Sequence, residues 1–125
     1  MDRDANRWAA ILHISQLGGY FIPLAGFIAP ILIWQLKKEE FPELEAHGRE
    51  VTNWIISLII YHAVCLGLIL LIFLSFGIGF GFLSVFLTWL VFIVLGILAV
   101  VFPIVGAIKA ADGILWNYPL KIEIL

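Results

Sequence analysis

The side chains best suited to chemistry lie together in a charged segment near the middle of the chain. Glu45, His47 and Glu50 are close in sequence, and His47 and Glu50 share one face if a helix begins near residue 46. Carboxylates beside a histidine can bind a divalent metal ion or relay protons. A structural interpretation is favoured, because Glu45 suits a helix N-terminus and can pair with Arg49, while Glu50 can pair with a protonated His47. We therefore predict that His47 stabilises the fold and binds no metal.

Two more histidines, His13 and His62, lie within or near apolar segments. Ionisable groups at such places are functional candidates, although a neutral histidine that bonds a neighbouring helix carbonyl is the more common situation. The chain contains neither an HExxH motif nor a plausible Ser/His/Asp or Cys/His set. We therefore predict no catalytic, cofactor or metal site and do not expect an enzyme.

These candidates are positioned by a charged hinge between two apolar stretches. The chain has seven Lys and Arg and nine Asp and Glu, and eight of these residues lie within residues 37–50. No such charge occurs within residues 9–36 or 51–107. Segments of this length without charge are too apolar for water, so the hinge marks where the chain leaves a membrane.

The composition agrees with a membrane protein of one domain, residues 1–125. Hydrophobic residues make up 63% of the chain and charged residues 13%, far from the balance of soluble proteins. The formal charge of −2 provides no basic patch, so nucleic acid is not an expected partner. Cys65 is the single cysteine and can form no disulfide within the chain.

We predict an all-α membrane protein with three transmembrane helices. Residues 9–36 would measure roughly 42 Å as one helix, which is too short for two passes through a hydrocarbon core of about 30 Å. The predicted elements, in chain order, are an interfacial amphipathic helix at 2–17, a span at 20–36, the hinge at 37–52, spans at 53–76 and 83–108, and an extended tail at 113–125. The glycines of residues 76–82 predict a turn between the last two spans.

Two patterns predict where these helices contact protein. Glu50, Asn53, Ser57 and Tyr61 recur at helical spacing in the second span, so this polar stripe must face protein or water rather than lipid. Gly106 and Ala110 form a small-xxx-small pair that would let another helix approach closely.

The basic residues predict the orientation. With three spans, Arg3 and Arg7 lie on one side, and the other five basic residues lie with the hinge and tail on the opposite side. The positive-inside rule then places the hinge and the C-terminus in the cytoplasm and the N-terminus outside. Hinge and tail would form one unit at that surface, with His47 near Tyr118 or a backbone carbonyl.

Several motifs resemble those of a known family. The segments are 30–40, the run Glu45-Ala-His-Gly-Arg-Glu-Val-Thr-Asn-Trp54, and the C-terminal run that ends Trp116-Asn-Tyr-Pro-Leu120. Together they resemble a family of small prokaryotic membrane proteins related to the twenty-kilodalton Tic subunit of the chloroplast inner-envelope protein translocon. The chain departs from that pattern at Leu44, Val51 and Trp54. The candidates that match its motifs are Lys37, Lys38, Glu45, His47, Gly48, Arg49, Glu50, Asn53, Lys109, Gly113, Trp116, Tyr118 and Pro119.

Two functional hypotheses follow. The first, to which the resemblance contributes an analogy with protein import, is a scaffold or translocation-type component that acts in a homo-oligomer or a larger assembly in the prokaryotic cytoplasmic membrane. The second is a channel or carrier for protons or small ions. Its polar lining would come from His13, Gln16, Asn53, Ser57, Tyr61 and His62. The environment of the polar stripe discriminates between them, because a dry helix contact favours a scaffold and a wet cavity favours a conductor.

Overall fold

A computed structural model describes residues 3–125, and within this range the protein is entirely helical apart from its connections and tail. Helix α1 is Arg3–Ile14 and continues into a 3₁₀ segment, Ser15–Tyr20. Helix α2 is Ala25–Lys37, α3 is Leu44–Phe76 and α4 is Ile78–Ala111. No strand occurs in residues 3–125, and the tail after α4 is irregular.

The two long helices form an antiparallel hairpin. Helix α3 has 33 residues and α4 has 34, so each is about 50 Å long. Only Gly77 separates them, and its φ of 81° is readily adopted by glycine. The turn predicted over residues 76–82 is therefore a single residue, because Gly79 and Gly81 continue as helix.

Buried residues concentrate at the end of the hairpin away from Gly77. The core contains Ala5, Ala9 and Leu12 of α1 together with residues of α2, the hinge, α3, α4 and the tail, namely Trp34, Phe41, Leu44, Val51, Trp54, Ile55, Ala110 and Tyr118. We call residues 3–14, 37–57 and 103–125 the head. Residues 58–102, which are apolar and mostly exposed, are called the membrane hairpin.

The three predicted spans are not confirmed. Both long helices are long and apolar enough to cross a membrane, but α2 has only 13 residues. It is short because Tyr20 ends the 3₁₀ segment and residues 21–24, which include Pro23, form a turn. The expected helix at 2–17 is α1 plus part of the 3₁₀ segment, except for Asp2, which lies outside the described residues.

The hinge is also shorter than predicted. Only residues 38–43 lie outside helices, because α3 begins at Leu44 instead of near residue 53. Helix α4 begins at Ile78, five residues before the predicted start of the third span at residue 83. It ends at Ala111, and Gly113 follows with a φ of 78°, as expected for a glycine at a helix C-terminus.

The N-terminal segment folds back on itself. The ammonium of Lys37, at the end of α2, lies 4.6 Å from the ring centroid of Trp8 in α1. The backbones of Gly19 and Gly26 are also in close contact. Helix α1 with its 3₁₀ segment therefore runs antiparallel to α2, and the start of α1 lies beside the hinge instead of at the opposite end.

Candidate functional site

A buried polar cluster in the head joins α1, α3 and the tail. Nδ1 of His13 lies 2.6 Å from Oη of Tyr118, and Nε2 of His13 lies 2.9 Å from Nδ1 of His47. The side-chain amide of Gln16 donates to Oη of Tyr118 at 3.0 Å. His13 is completely buried, and His47 and Tyr118 nearly so. The cluster therefore connects residues distant in sequence within the head.

The roles of the ring nitrogens depend on the histidine tautomers, and one arrangement of hydrogens that fits the contacts runs from Gln16 to His47. Because Gln16 donates to Oη, the Tyr118 hydroxyl is free to donate to Nδ1 of His13. Nε2–H of His13 can then donate to Nδ1 of His47. This assignment, inferred from the network, needs both histidines to be neutral.

The surroundings favour the neutral forms of His13 and Tyr118. Burial, followed by the nearby His47, lowers the pKa of His13 from 6.5 to about 3. Burial also raises the pKa of Tyr118 well above its usual range, an effect that the Glu50 charge reinforces and the Gln16 hydrogen bond opposes. Neither group exchanges a proton near neutral pH, so the cluster suits a structural role better than acid–base chemistry.

Gly106 of α4 provides the space for this cluster. A Cβ atom at Gly106 would lie 2.6 Å from Nδ1 of His13 and 2.7 Å from Oη of Tyr118. Ala110, one turn later, is completely buried. The predicted close contact at these two small residues is thus confirmed, and its partners are α1 and the tail.

The polar stripe of α3 binds the tail. The carboxylate of Glu50 accepts the backbone N–H of Tyr118 at 2.5 Å and forms an ion pair with Lys121. Oγ of Ser57 accepts the N–H of Ile122 at 2.6 Å. Of the two environments predicted for the stripe, protein or water, the structure shows protein, and the partner is the backbone of a non-helical segment.

The stripe has two further bonds to the same segment. Oδ1 of Asn53 accepts the N–H groups of Ile124 and Leu125 at 3.1 and 2.9 Å, and the Tyr61 hydroxyl donates to the carbonyl of Leu120. These bonds supply partners that an irregular backbone cannot provide for itself. The predicted unit of hinge and tail is present, although His47 reaches Tyr118 through His13 and not directly.

The start of α3 is fixed against α2. The indole N–H of Trp34 donates to Glu45 at 2.9 Å, and Glu45 also pairs with Arg49 at 3.0 Å. Gly48 lies directly under the Trp34 ring, where a Cβ would approach to 2.2 Å. Sequence reasoning missed Trp34, although its position just before the charged hinge was a signal that it packs at the membrane surface.

The other candidates lie around the edge of the head or outside it. Lys37 pairs with Glu40 at 3.1 Å, and Lys38 follows α2 directly. Lys109 and Pro119 are exposed, while Trp116 packs on Phe102. His62 lies apart in the membrane hairpin, where Nδ1–H donates to the Leu58 carbonyl at 2.7 Å. Within residues 3–125, no group of three or more His, Cys, Asp or Glu could hold a metal ion.

A helical head on a hairpin of two long apolar helices is the architecture of a membrane-anchored protein. More specifically, the chain belongs to the magnetosome magnetite crystal formation protein family (MamF_MmsF), whose model matches residues 4–125. No curated protein and no solved structure matches the chain.

This match corrects the relation to the Tic subunit, which is wrong. That resemblance depended on short motifs, notably His47-Gly-Arg-Glu50 and Trp116-Asn-Tyr-Pro119, whereas the family match covers almost the whole chain. In the structure these two motifs are joined by the hydrogen bond from Tyr118 to Glu50. Their residues serve to attach the tail to α3, which is a packing requirement and not a signature of protein import.

Proposed function

We propose that this protein is a non-enzymatic scaffold component of magnetite crystal formation, anchored in the membrane by α3 and α4. It acts in a homo-oligomer or with other membrane proteins, and its head is the contact surface. The family match provides the process, which is magnetite crystal formation, and the fold supports the role of a membrane-anchored scaffold. The membrane is the cytoplasmic membrane of a prokaryote.

The observation that carries this proposal is the confinement of charge to one end of the molecule. Every Lys, Arg, Asp and Glu within residues 3–125 lies in the head, and none lies in the membrane hairpin. Charged and polar side chains provide specific contacts in water, while the apolar hairpin provides the anchor. A partner in the aqueous phase therefore meets only the head.

The same distribution supports one topology. Two spans bring the N-terminus, the hinge and the tail to the same side, together with all seven basic residues of the chain. The Gly77 turn on the other side carries no charge. By the positive-inside rule the head lies in the cytoplasm.

The contacts of the polar stripe count against a conductor. Glu50, Asn53 and Ser57 are buried, and their side chains are bonded to the tail. Glu50 and Asn53 border a cleft between the hinge and the tail, in the head and not in the membrane hairpin. His13 and Gln16 are engaged with Tyr118. Of the residues expected to line a channel, Gln16 and His62 border an open cleft of the described residues, and its other residues are mostly apolar. The family match likewise gives translocation no support.

The experiment is complementation of a magnetite-forming strain that lacks this gene. The wild-type chain is expected to restore crystal size in electron micrographs and to cross-link to neighbouring proteins in intact membranes. The double variant Glu39→Lys, Glu40→Lys alters the exposed hinge surface, and we expect normal membrane levels with fewer cross-links and smaller crystals. The variant Phe80→Leu, at the opposite end, is the matched control. Normal crystals in the deletion strain, or proton flux through vesicles that hold only this protein, would contradict the proposal.

A further inference from the structure

The N-terminal half of the chain forms a helical hairpin that stops partway along the longer one. We call residues 3–37 the N-terminal hairpin and residues 20–24 its tip. Its open end lies at the head, where Trp8 meets Lys37, and Gly19 and Gly26 contact each other near the tip. The tip is therefore the part of this hairpin that lies farthest from the hinge.

The depth of the tip follows from a cleft of about 630 Å³ between the two hairpins. Tyr20 and Leu24 border this cleft together with α3 residues from Ile55 to Leu66. Leu66 is ten residues from Phe76 at the end of α3, or about 15 Å along the helix. The tip thus lies level with the head-side half of the membrane hairpin and does not reach the half that ends at Gly77.

The surface of the tip is suited to hydrocarbon. Phe21 is 87% exposed, Ile22 67% and Leu24 61%. The exposed apolar surface continues along α2 through Phe27, Ile28, Ile31, Leu32 and Leu36. Residues 9–36 contain no Lys, Arg, Asp or Glu, so nothing in this segment requires water. This apolar surface contacts the lipid leaflet on the head side, because the N-terminal hairpin packs against α3 and α4 at the depth of that leaflet.

We propose that the protein is a wedge that binds preferentially to membrane that is convex on the head side. The head-side leaflet must accommodate up to four helical segments, while the leaflet at Gly77 accommodates two. Unequal cross-section expands one leaflet relative to the other, and this strain falls when the membrane bends toward the expanded side. Insertion of apolar helical surface into a single leaflet is sensitive to curvature for the same reason. The inference depends on the two-span arrangement and on no role in crystal formation.

The experiment measures the partitioning and orientation of the full-length protein in vesicles of phosphatidylcholine and phosphatidylglycerol. A single cysteine in the head, Glu123→Cys in a Cys65→Ser background, carries the dye. We expect several-fold higher protein density per lipid area on small sonicated vesicles than on giant vesicles. An impermeant quencher should also show an excess of outward-facing heads on the small vesicles and equal orientations on the giant ones.

The tip supplies the variant that tests the cause. Phe21→Asn with Ile22→Asn should abolish the preference for small vesicles, whereas Phe80→Asn, an exposed phenylalanine at the other end, should retain it. Equal wild-type density and orientation on both vesicle sizes would overturn the proposal, even if the tip variant failed to fold. A tip variant that keeps the size preference but changes the particle mass in detergent would overturn it as well, because the tip would then contact a second copy of the chain.

Discussion

His13 and Tyr118 connect the two ends of the chain inside the head. Nδ1 of His13 lies 2.6 Å from the Tyr118 hydroxyl, although 105 residues separate them. The same hydroxyl accepts a hydrogen bond from Gln16, the Tyr118 N–H donates to Glu50, and the Tyr118 ring packs on Trp116 of the tail. The first helix and the tail thus stabilise each other across the start of α3.

Tyr118→Phe should destabilise the protein by about 1–3 kcal/mol, because it removes the hydroxyl that contacts the buried Nδ1 of His13 and leaves the Gln16 amide only its bond to the His13 carbonyl. The measurement is denaturant unfolding in mild detergent. Tyr61→Phe is the matched control, since its hydroxyl donates to the Leu120 carbonyl from a more exposed position. Equal losses of unfolding free energy in both variants would show that the Tyr118 hydroxyl stabilises the protein no more than the more exposed Tyr61 hydroxyl does.

Gly106→Ala should destabilise the head by about 1–3 kcal/mol, because the new methyl group would overlap His13 and Tyr118. Gly67→Ala is the control, as a Cβ at Gly67 has no atom within 4 Å. Alanine is also the better helix former, so Gly67→Ala should be neutral or slightly stabilising. Thermal unfolding followed by circular dichroism distinguishes the two. A harmless Gly106→Ala would mean that α1 is not packed against α4 as described.

Stability should fall as the pH decreases below about 6.5, the ordinary pKa of histidine. The folded protein keeps His13 neutral, with a pKa of about 3, while the unfolded chain takes up the proton. The stabilising effect of His13 is therefore complete above pH 6.5 and is lost progressively toward pH 3, with a slope of at most about 1.4 kcal/mol per pH unit. His13→Gln should flatten this slope, and His62→Gln, outside the head, should not. If the stability of His13→Gln depended on pH as steeply as that of the wild type, His13 would not be the group responsible.

Glu50→Ala should cost about 3 kcal/mol, because it leaves the largely buried Lys121 only its 3.6 Å pair with the exposed Glu123 and removes the acceptor for the Tyr118 N–H. Arg49→Ala removes an ion pair between side chains that are 56% and 42% exposed, and should cost less than about 1 kcal/mol. Limited proteolysis of the C-terminal tail provides a second measurement, since only Glu50→Ala should release it. An intact tail with unchanged unfolding in both variants would contradict this ranking.

Single cysteines at Arg3, Glu39 and Glu123 should all react with an impermeant thiol reagent from the same side of the membrane, in a Cys65→Ser background. A cysteine at Gly79 should react only from the other side. The side from which each cysteine reacts is found by labelling inverted and right-side-out vesicles separately. If the Arg3 and Glu39 positions reacted from opposite sides, α2 would cross the membrane and the chain would have three spans.

The helix contacts could be predicted from sequence because each depends on a local pattern. The stripe from Glu50 to Tyr61 had to face protein or water rather than lipid, and the small pair at Gly106 was expected to lie against another segment. The partners could not be predicted, since a helix face does not specify what covers it. The tail was expected at the same surface, but the match between its backbone N–H groups and the side chains of Asn53 and Ser57 appears only in three dimensions.

The number of spans could not be predicted for a different reason. Residues 20–36 contain seventeen uncharged residues, close to the minimum length for crossing a membrane. Length and polarity cannot distinguish a short span from a hairpin arm that turns back within the membrane. The turn at Pro23, with Leu24 at a φ of 67°, reverses the chain before α2 begins and so favours the hairpin arm.

The single-residue turn at Gly77 also affects how the protein can enter a membrane. No Lys, Arg, Asp or Glu occurs between residues 51 and 107, so the whole membrane hairpin can pass into the bilayer from the head side without carrying any of these charges through hydrocarbon. Moving such a group to the bilayer centre costs at least about 2.5–3.5 kcal/mol, and that barrier is absent here. Insertion then depends mainly on burying apolar surface, and the charged head stops the hairpin once both helices are fully inside.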